Sequence, residues 1–171
     1  VADTGNGRIL RYTIAGDTWT PAGEITLPQL PSPIRVDMNS KGEIFALDGA
    51  SRKIGRIGPS GDFLGYVVPS GEVQGAVVPR SLRLDGQDNP YLLDVFSARV
   101  LVLDPSGKVR REIPFPKGYG FLSDLAVDAG GNVYLLDSVR KRVYKVAKNS
   151  AEAVPLTGSL QEEAYFPTSI A

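Results

Sequence analysis

Short apolar runs closed by an aspartate recur along the chain. Val1-Ala2, Ile44 to Leu47, Tyr91 to Leu93 and Val133 to Leu136 lead into Asp3, Asp48, Asp94 and Asp137, which lie 45, 46 and 43 residues apart. Five residues after each aspartate stands a cation (Arg8, Lys53, Arg99, Arg142), and each cation opens a second apolar run. A further series, Asp37, Asp85 and Asp128, precedes the first by 11, 9 and 9 residues and is read as turn-forming aspartates at a strand end. A fixed period of this length is the mark of a repeat architecture.

One complete unit shows what repeats. Ser81 to Asp85 alternates polar and apolar, Gly86 to Asn89 is a turn, and Pro90 to Asp94 is a buried strand. Arg99 to Leu103 is a third strand, Asp104-Pro105-Ser106-Gly107 a tight turn, and Val109 to Phe115 a fourth strand. Short strands joined by Gly, Pro, Asn and Asp turns are hairpins in series. The same order is read in Pro33 to Asp37, Glu43 to Asp48, Lys53 to Ile57 and Phe63 to Val68. It is read again in Leu122 to Asp128, Asn132 to Asp137, Arg142 to Ala147 and Ala153 to Thr157. No stretch keeps a 3.6-residue period over ten residues, so helix is expected to be near absent. Four antiparallel strands per repeat of about 45 residues make a blade of an all-β propeller.

The expected organisation is a single propeller segment: a partial blade over 1–30, blades over 31–70, 79–115 and 122–158, and the first strand of a further blade over 166–171. The two cut ends pair with each other in a four-bladed ring, or the segment belongs to a six-bladed ring; the second is the expectation adopted.

Composition narrows the chemistry. The 171 residues carry 19 Lys+Arg and 19 Asp+Glu, so no net charge draws them to nucleic acid or to an anionic membrane. No apolar run approaches the roughly 18 residues of a membrane span. With no Cys and no His there is no disulfide, no thiolate nucleophile, no imidazole metal ligand and no histidine general base within these residues.

Val1-Ala2-Asp3-Thr4-Gly5-Asn6-Gly7-Arg8-Ile9 resembles the signature of the NHL repeat, a propeller-forming unit found in six-bladed rings. Val127-Asp128-Ala129-Gly130-Gly131-Asn132-Val133-Tyr134 resembles the preceding half of that repeat. The pattern departs at Gly7, where the family has histidine, and at Asp88 and Pro90, which replace a turn glycine and a strand valine. The resemblance implies the fold and is nearly silent on activity. Since bacterial members of the family are often exported, it implies an extracytoplasmic (periplasmic or secreted) location, with a cytoplasmic one as the alternative.

Function is expected where repeats differ, because scaffolding recurs and sites do not. The aspartate–cation pairs are therefore read as structural, with Asp capping turn amides and the cation reaching a neighbouring blade. The loops entering each first strand and those joining second to third strands share one face. The first set includes Arg80, Tyr119, Phe121 and Tyr165, and the second Arg52, Phe96, Arg140 and Lys141. Loop aromatics and arginines are the residues from which interface hot spots are built. Arg35 and Arg83 are aligned with Ala126 and Ala171 on the innermost strand and, with Asp124, are candidates for facing the channel.

The expected function is a non-enzymatic scaffold offering this loop face to a protein or carbohydrate partner, with no cofactor and no metal. One alternative is a lactonase- or lyase-type propeller enzyme whose active site lies in blades outside this segment. A second is an RNA-binding propeller. It rests on Ser138 to Arg142 with Lys145 and Lys148, a cluster that strand alternation would divide between two faces.

Overall fold

The computed structural model describes residues 1–156 and 167–171. Thr157, at the end of the last expected strand, lies outside them, as do Tyr165 and Phe166. Apart from one 3-10 turn at Thr4–Asn6, all regular structure among the described residues is β.

The chain forms two compact units, Val1–Val68 and Pro69–Ala171. In the first, β1 (Ala2–Asp3), β2 (Arg8–Ala15) and β3 (Thr18–Ile25) make a three-stranded antiparallel sheet. A four-stranded sheet follows: β4 (Pro33–Met38), β5 (Ile44–Asp48), β6 (Ile54–Ile57) and β7 (Phe63–Val67). The second unit holds two more four-stranded sheets. One runs β8 (Pro79–Leu84), β9 (Pro90–Asp94), β10 (Arg99–Leu103), β11 (Val109–Pro114). The other runs β12 (Leu122–Val127), β13 (Val133–Asp137), β14 (Arg142–Val146), β15 (Ala153–Pro155). Every pairing between these named strands joins sequence neighbours, as consecutive hairpins require.

The three complete sheets share one register. The first residue of the first strand faces the closing aspartate of the second: Pro33 with Asp48, Pro79 with Asp94, Leu122 with Asp137. A bulge follows at once in all three. Proline is tolerated at two of these positions because the first residue of a strand need not donate to the ladder. Apolar side chains from both sheets of a unit make its core. In the second unit Leu93, Val100 and Ile113 pack with Leu122, Leu125 and Leu135, all essentially inaccessible. In the first unit Ile9 and Ile25 pack with Leu30, Ala46 and Ile57. Leu30 fills the space over Gly55 on β6, where an added Cβ would stand 2.5 Å from its Cδ1.

Two expectations need correction. The turn between first and second strands is held by a carboxylate in two repeats. Asp85 accepts from the amides of Gln87 (2.9 Å) and Asn89 (3.0 Å), and Asp128 from that of Asn132 (2.8 Å). In the first complete sheet the equivalent residue is Asn39, which accepts from Lys41 (3.0 Å) and Glu43 (2.9 Å). Asp37 lies two residues earlier, on β4 opposite Phe45. Its odd spacing of 11 was the sign that it is not the turn residue.

The two recurrent arginines that form ion pairs, too, do so inside their own sheets. Arg8 Nε meets Asp3 at 2.8 Å and its Nη1 meets Glu24 at 2.6 Å. Arg99 Nε meets Asp94 at 3.1 Å and its Nη1 meets Glu112 at 3.0 Å. A pair within one antiparallel sheet needs only a register, not a second sheet, and i to i+5 across a four-residue turn supplies it.

Over Pro167 to Ala171 there is no strand ladder. The Pro167 carbonyl accepts from Ser138 Oγ, and the Ile170 amide donates to Asp124 at 3.1 Å.

Candidate functional site

Each closing aspartate does one mechanical task. The Asp48 carboxylate, fully buried, accepts from the amide of Ser32 in the loop entering β4 (2.6 Å) and from that of Ser51 in the turn after β5 (2.7 Å). Asp94 does the same with Val78 (2.9 Å) and Phe96 (3.2 Å), and Asp137 with Gly120 (2.7 Å), Phe121 (3.0 Å) and Arg140 (2.9 Å). One buried side chain thus fixes two neighbouring loops of the same face. Burial alone would raise Asp137, but the amides of Arg140, Phe121 and Gly120 outweigh it and hold the carboxyl below its ordinary value.

The loops so fixed carry several of the exposed apolar residues of the second unit. Tyr119 and Phe121 are 38% and 39% exposed, and Val139 in the adjoining turn is 60% exposed. They are held close: a Cβ on Gly120 would lie 2.9 Å from that of Val139. The Arg80 guanidinium sits 4.3 Å from the centre of the Phe121 ring, and Tyr119 meets Phe115 edge-on at 5.3 Å. Arg140 is exposed beside Val139, and Lys141 is half-buried. The result is an apolar surface rimmed by cations and built on rigid loops. Phe96, 67% exposed, stands on the turn after β9, where Ser97 Oγ donates to the Ala76 carbonyl at 3.1 Å.

Among the sequence candidates, Tyr119, Phe121, Arg140 and Lys141 therefore gather on the two loops at one end of the β12 to β15 sheet, while Arg80, expected in a loop, lies on β8 and reaches them through the Phe121 ring. Arg52 and Arg35 belong to the first unit, and Tyr165 lies outside the described residues. Val139 was missed; an apolar residue at the centre of a Ser-Val-Arg turn was its only signal.

The innermost-strand candidates behave differently. By register Arg35 corresponds to Ser81 and Asp124, whereas Arg83 corresponds to Asp37 and Ala126, two positions further on. Taking Asp37 for the turn residue produced the alignment of Arg35 with Arg83, since the bulge is common to all three sheets. Asp124 is fully buried and accepts from Ser81 Oγ, Arg83 Nη2 (3.3 Å) and the Ile170 amide. Arg83 Nη2 also donates to the Ile170 carbonyl at 3.1 Å. These two candidates satisfy each other and the chain beside them. The basic cluster is divided by its strand: Arg142 lies on the face of Tyr144, while Lys145 lies over the Tyr134 ring at 5.5 Å. Among the described residues no three carboxylates converge as a metal site would require, and no helix is long and apolar enough to cross a membrane.

Comparison with known proteins decides the fold. The chain is similar to virginiamycin B lyase from Staphylococcus aureus, with a TM-score of 0.65 and 20% identity over 91% of this chain and 50% of that one. It is similar to a streptogramin B lyase (TM-score 0.64, 13% identity, 95% of this chain and 58% of that). It is also similar to YCF48 bound to D1 peptide (TM-score 0.60, 14% identity, 89% and 47%). The fold is a β-propeller. This chain spans about half the length of these propellers. No family model and no curated protein sequence matches it.

Proposed function

We propose that this propeller segment is a non-enzymatic binding scaffold, of the NHL-repeat class that its sequence resembles, which presents its loop face to a protein or carbohydrate partner. The observation that carries the reading is the exposed Tyr119, Phe121 and Val139 surface, immobilised from beneath by the buried Asp137. Rigid aromatics flanked by arginine bind at low entropic cost. A structural neighbour, YCF48, is seen with a peptide bound, so the fold can serve this purpose. A catalytically inactive virginiamycin B lyase differs at one histidine, and the 171 residues here contain none. A lyase of that kind would draw its catalytic group from elsewhere.

The test passes wild type and a Tyr119→Ala/Phe121→Ala variant over a glycan array and a random-peptide library. Ligands selected by wild type should bind the variant roughly tenfold or more weakly. Its thermal midpoint should stay within about 3 °C, as for exposed substitutions. Ligands that bind both proteins equally would remove the loop face from the account.

A further inference from the structure

The recurrent cation has a second partner on the fourth strand, at a fixed register position. Leu10 faces Glu24 and Leu101 faces Glu112, and these glutamates take Arg8 and Arg99. In the first complete sheet Gly55 faces Tyr66, whose ring lies 4.8 Å from the Lys53 ammonium. In the last sheet Tyr144 faces Pro155. Arg142 thus finds proline where the other repeats supply glutamate or tyrosine. Its aspartate is taken as well, since Asp137 accepts from three backbone amides. Among the described residues the Arg142 side chain has no hydrogen-bond or ion-pair partner, and it is exposed.

That side chain opens into a cleft of about 870 Å³ between the end of β11 and strands β14 and β15. Phe115 and Tyr144 give the cleft apolar walls. Lys117 and Arg140 join Arg142 in its lining, against the single carboxylate of Glu152. The chain as a whole is neutral, so this excess of positive charge is local. Arg111 steadies the far end by donating from both terminal nitrogens to the carbonyls of Lys148 and Ser150.

We propose that the cleft binds an acidic peptide segment, with one ligand carboxylate taking against Arg142 the place that Glu24 and Glu112 hold in the other repeats. Guanidinium and carboxylate match in a planar, two-bond geometry, and apolar residues of the ligand lie on Phe115 and Tyr144. The inference rests on the scaffold reading and names its partner class.

The experiment titrates the intact protein with acetyl-Phe-Asp-Glu-Phe-amide and with its uncharged counterpart, acetyl-Phe-Asn-Gln-Phe-amide. Binding is followed by calorimetry and by the arginine Nε–Hε resonances. The acidic peptide should bind, move the Arg142 and Arg140 signals, and weaken with salt. The uncharged peptide should bind roughly tenfold more weakly, since it lacks the charge-assisted bonds. Arg142→Gln should lose the same factor without a change in thermal midpoint. Pro155→Glu should abolish binding while raising the midpoint, by returning to Arg142 the partner of the other repeats. Equal binding of the two peptides, or an acidic-peptide affinity untouched by Arg142→Gln, would overturn the inference. So would saturation of the Arg142 signal by inorganic phosphate with no peptide binding. Peptide binding lost in Phe121→Ala but kept in Arg142→Gln would overturn the cleft and leave the loop-face scaffold standing. Failure of Tyr119→Ala/Phe121→Ala to affect any selected ligand, with acidic-peptide binding still lost in Arg142→Gln, would do the reverse.

Discussion

Asp128 shows how a single carboxylate holds a hairpin. Its oxygens accept from the Asn132 side-chain amide (2.8 Å), the Asn132 backbone amide (2.8 Å) and the Tyr134 hydroxyl (3.0 Å). The Asn132 side chain foremost, then these other donors, hold its pKa at about 2, against an ordinary 3.8. Asp104 is held at about 2 in the same way, first by the Ser106 hydroxyl. Because the folded value is depressed, the stabilisation is complete above the ordinary carboxylate range. It is lost as pH falls from about 4 toward 2. The thermal midpoint should therefore drop across that interval, and Asp128→Asn should flatten the drop; an unchanged profile in the variant would refute the assignment. At this scale the sequence was legible where a side chain bonds to backbone near it in the chain, as Asp85 and Asp128 do. It was misleading for Asp37, because an aspartate and an asparagine lie two residues apart at that turn and only the ladder register shows that Asn39 turns the chain. The partners of Arg8 and Arg99 on the fourth strand were not legible, since they depend on a cross-strand register that a bulge in each sheet shifts.

The turn between second and third strands is the element that most nearly repeats. Four residues after the closing aspartate the backbone is left-handed in every sheet, at Gly7 (φ 63°), Arg52 (φ 59°), Ala98 (φ 52°) and Lys141 (φ 49°). Only the first repeat uses the residue that adopts this conformation without cost. Ala98→Gly should therefore stabilise the protein, by about 0.5–1 kcal/mol in denaturant unfolding once the extra freedom of glycine in the unfolded chain is offset. A decrease would mean that the turn is not strained at Ala98. Strand positions were read to within a residue or so for β4 to β14, because turn residues bracket each apolar run. The left-handed position was not read, since three different side chains occupy it. Exposure of the β2–β3 hairpin was equally hidden: Ile14 and Trp19 alternate as core residues would, yet are 60% and 59% exposed because the hairpin outruns the sheet.

For the whole molecule the period of about 45 residues told the fold, and its interruptions tell where binding belongs. A buried carboxylate under two loops recurs in all three complete sheets, so it belongs to the scaffold. Phe121, Val139 and Arg142, which has no partner among the described residues, occur once, and the comparisons, which agree on the β-propeller fold at 20% identity or less, leave these residues to be judged by their own geometry. The measurement that tests this division most directly sets Arg99→Ala beside Phe121→Ala in one experiment. Thermal stability and retention of the ligands selected by wild type are read on both. Arg99 is 6% exposed between Asp94 and Glu112, so its removal leaves the fully buried Asp94 carboxylate, held by two backbone amides, without its counter-charge. It should cost about 3–5 kcal/mol while ligands are still bound below the midpoint. Phe121→Ala should leave stability nearly unchanged and lose the ligands. Stability kept and ligands lost in Arg99→Ala would contradict the account, for the repeated pair would then be the site.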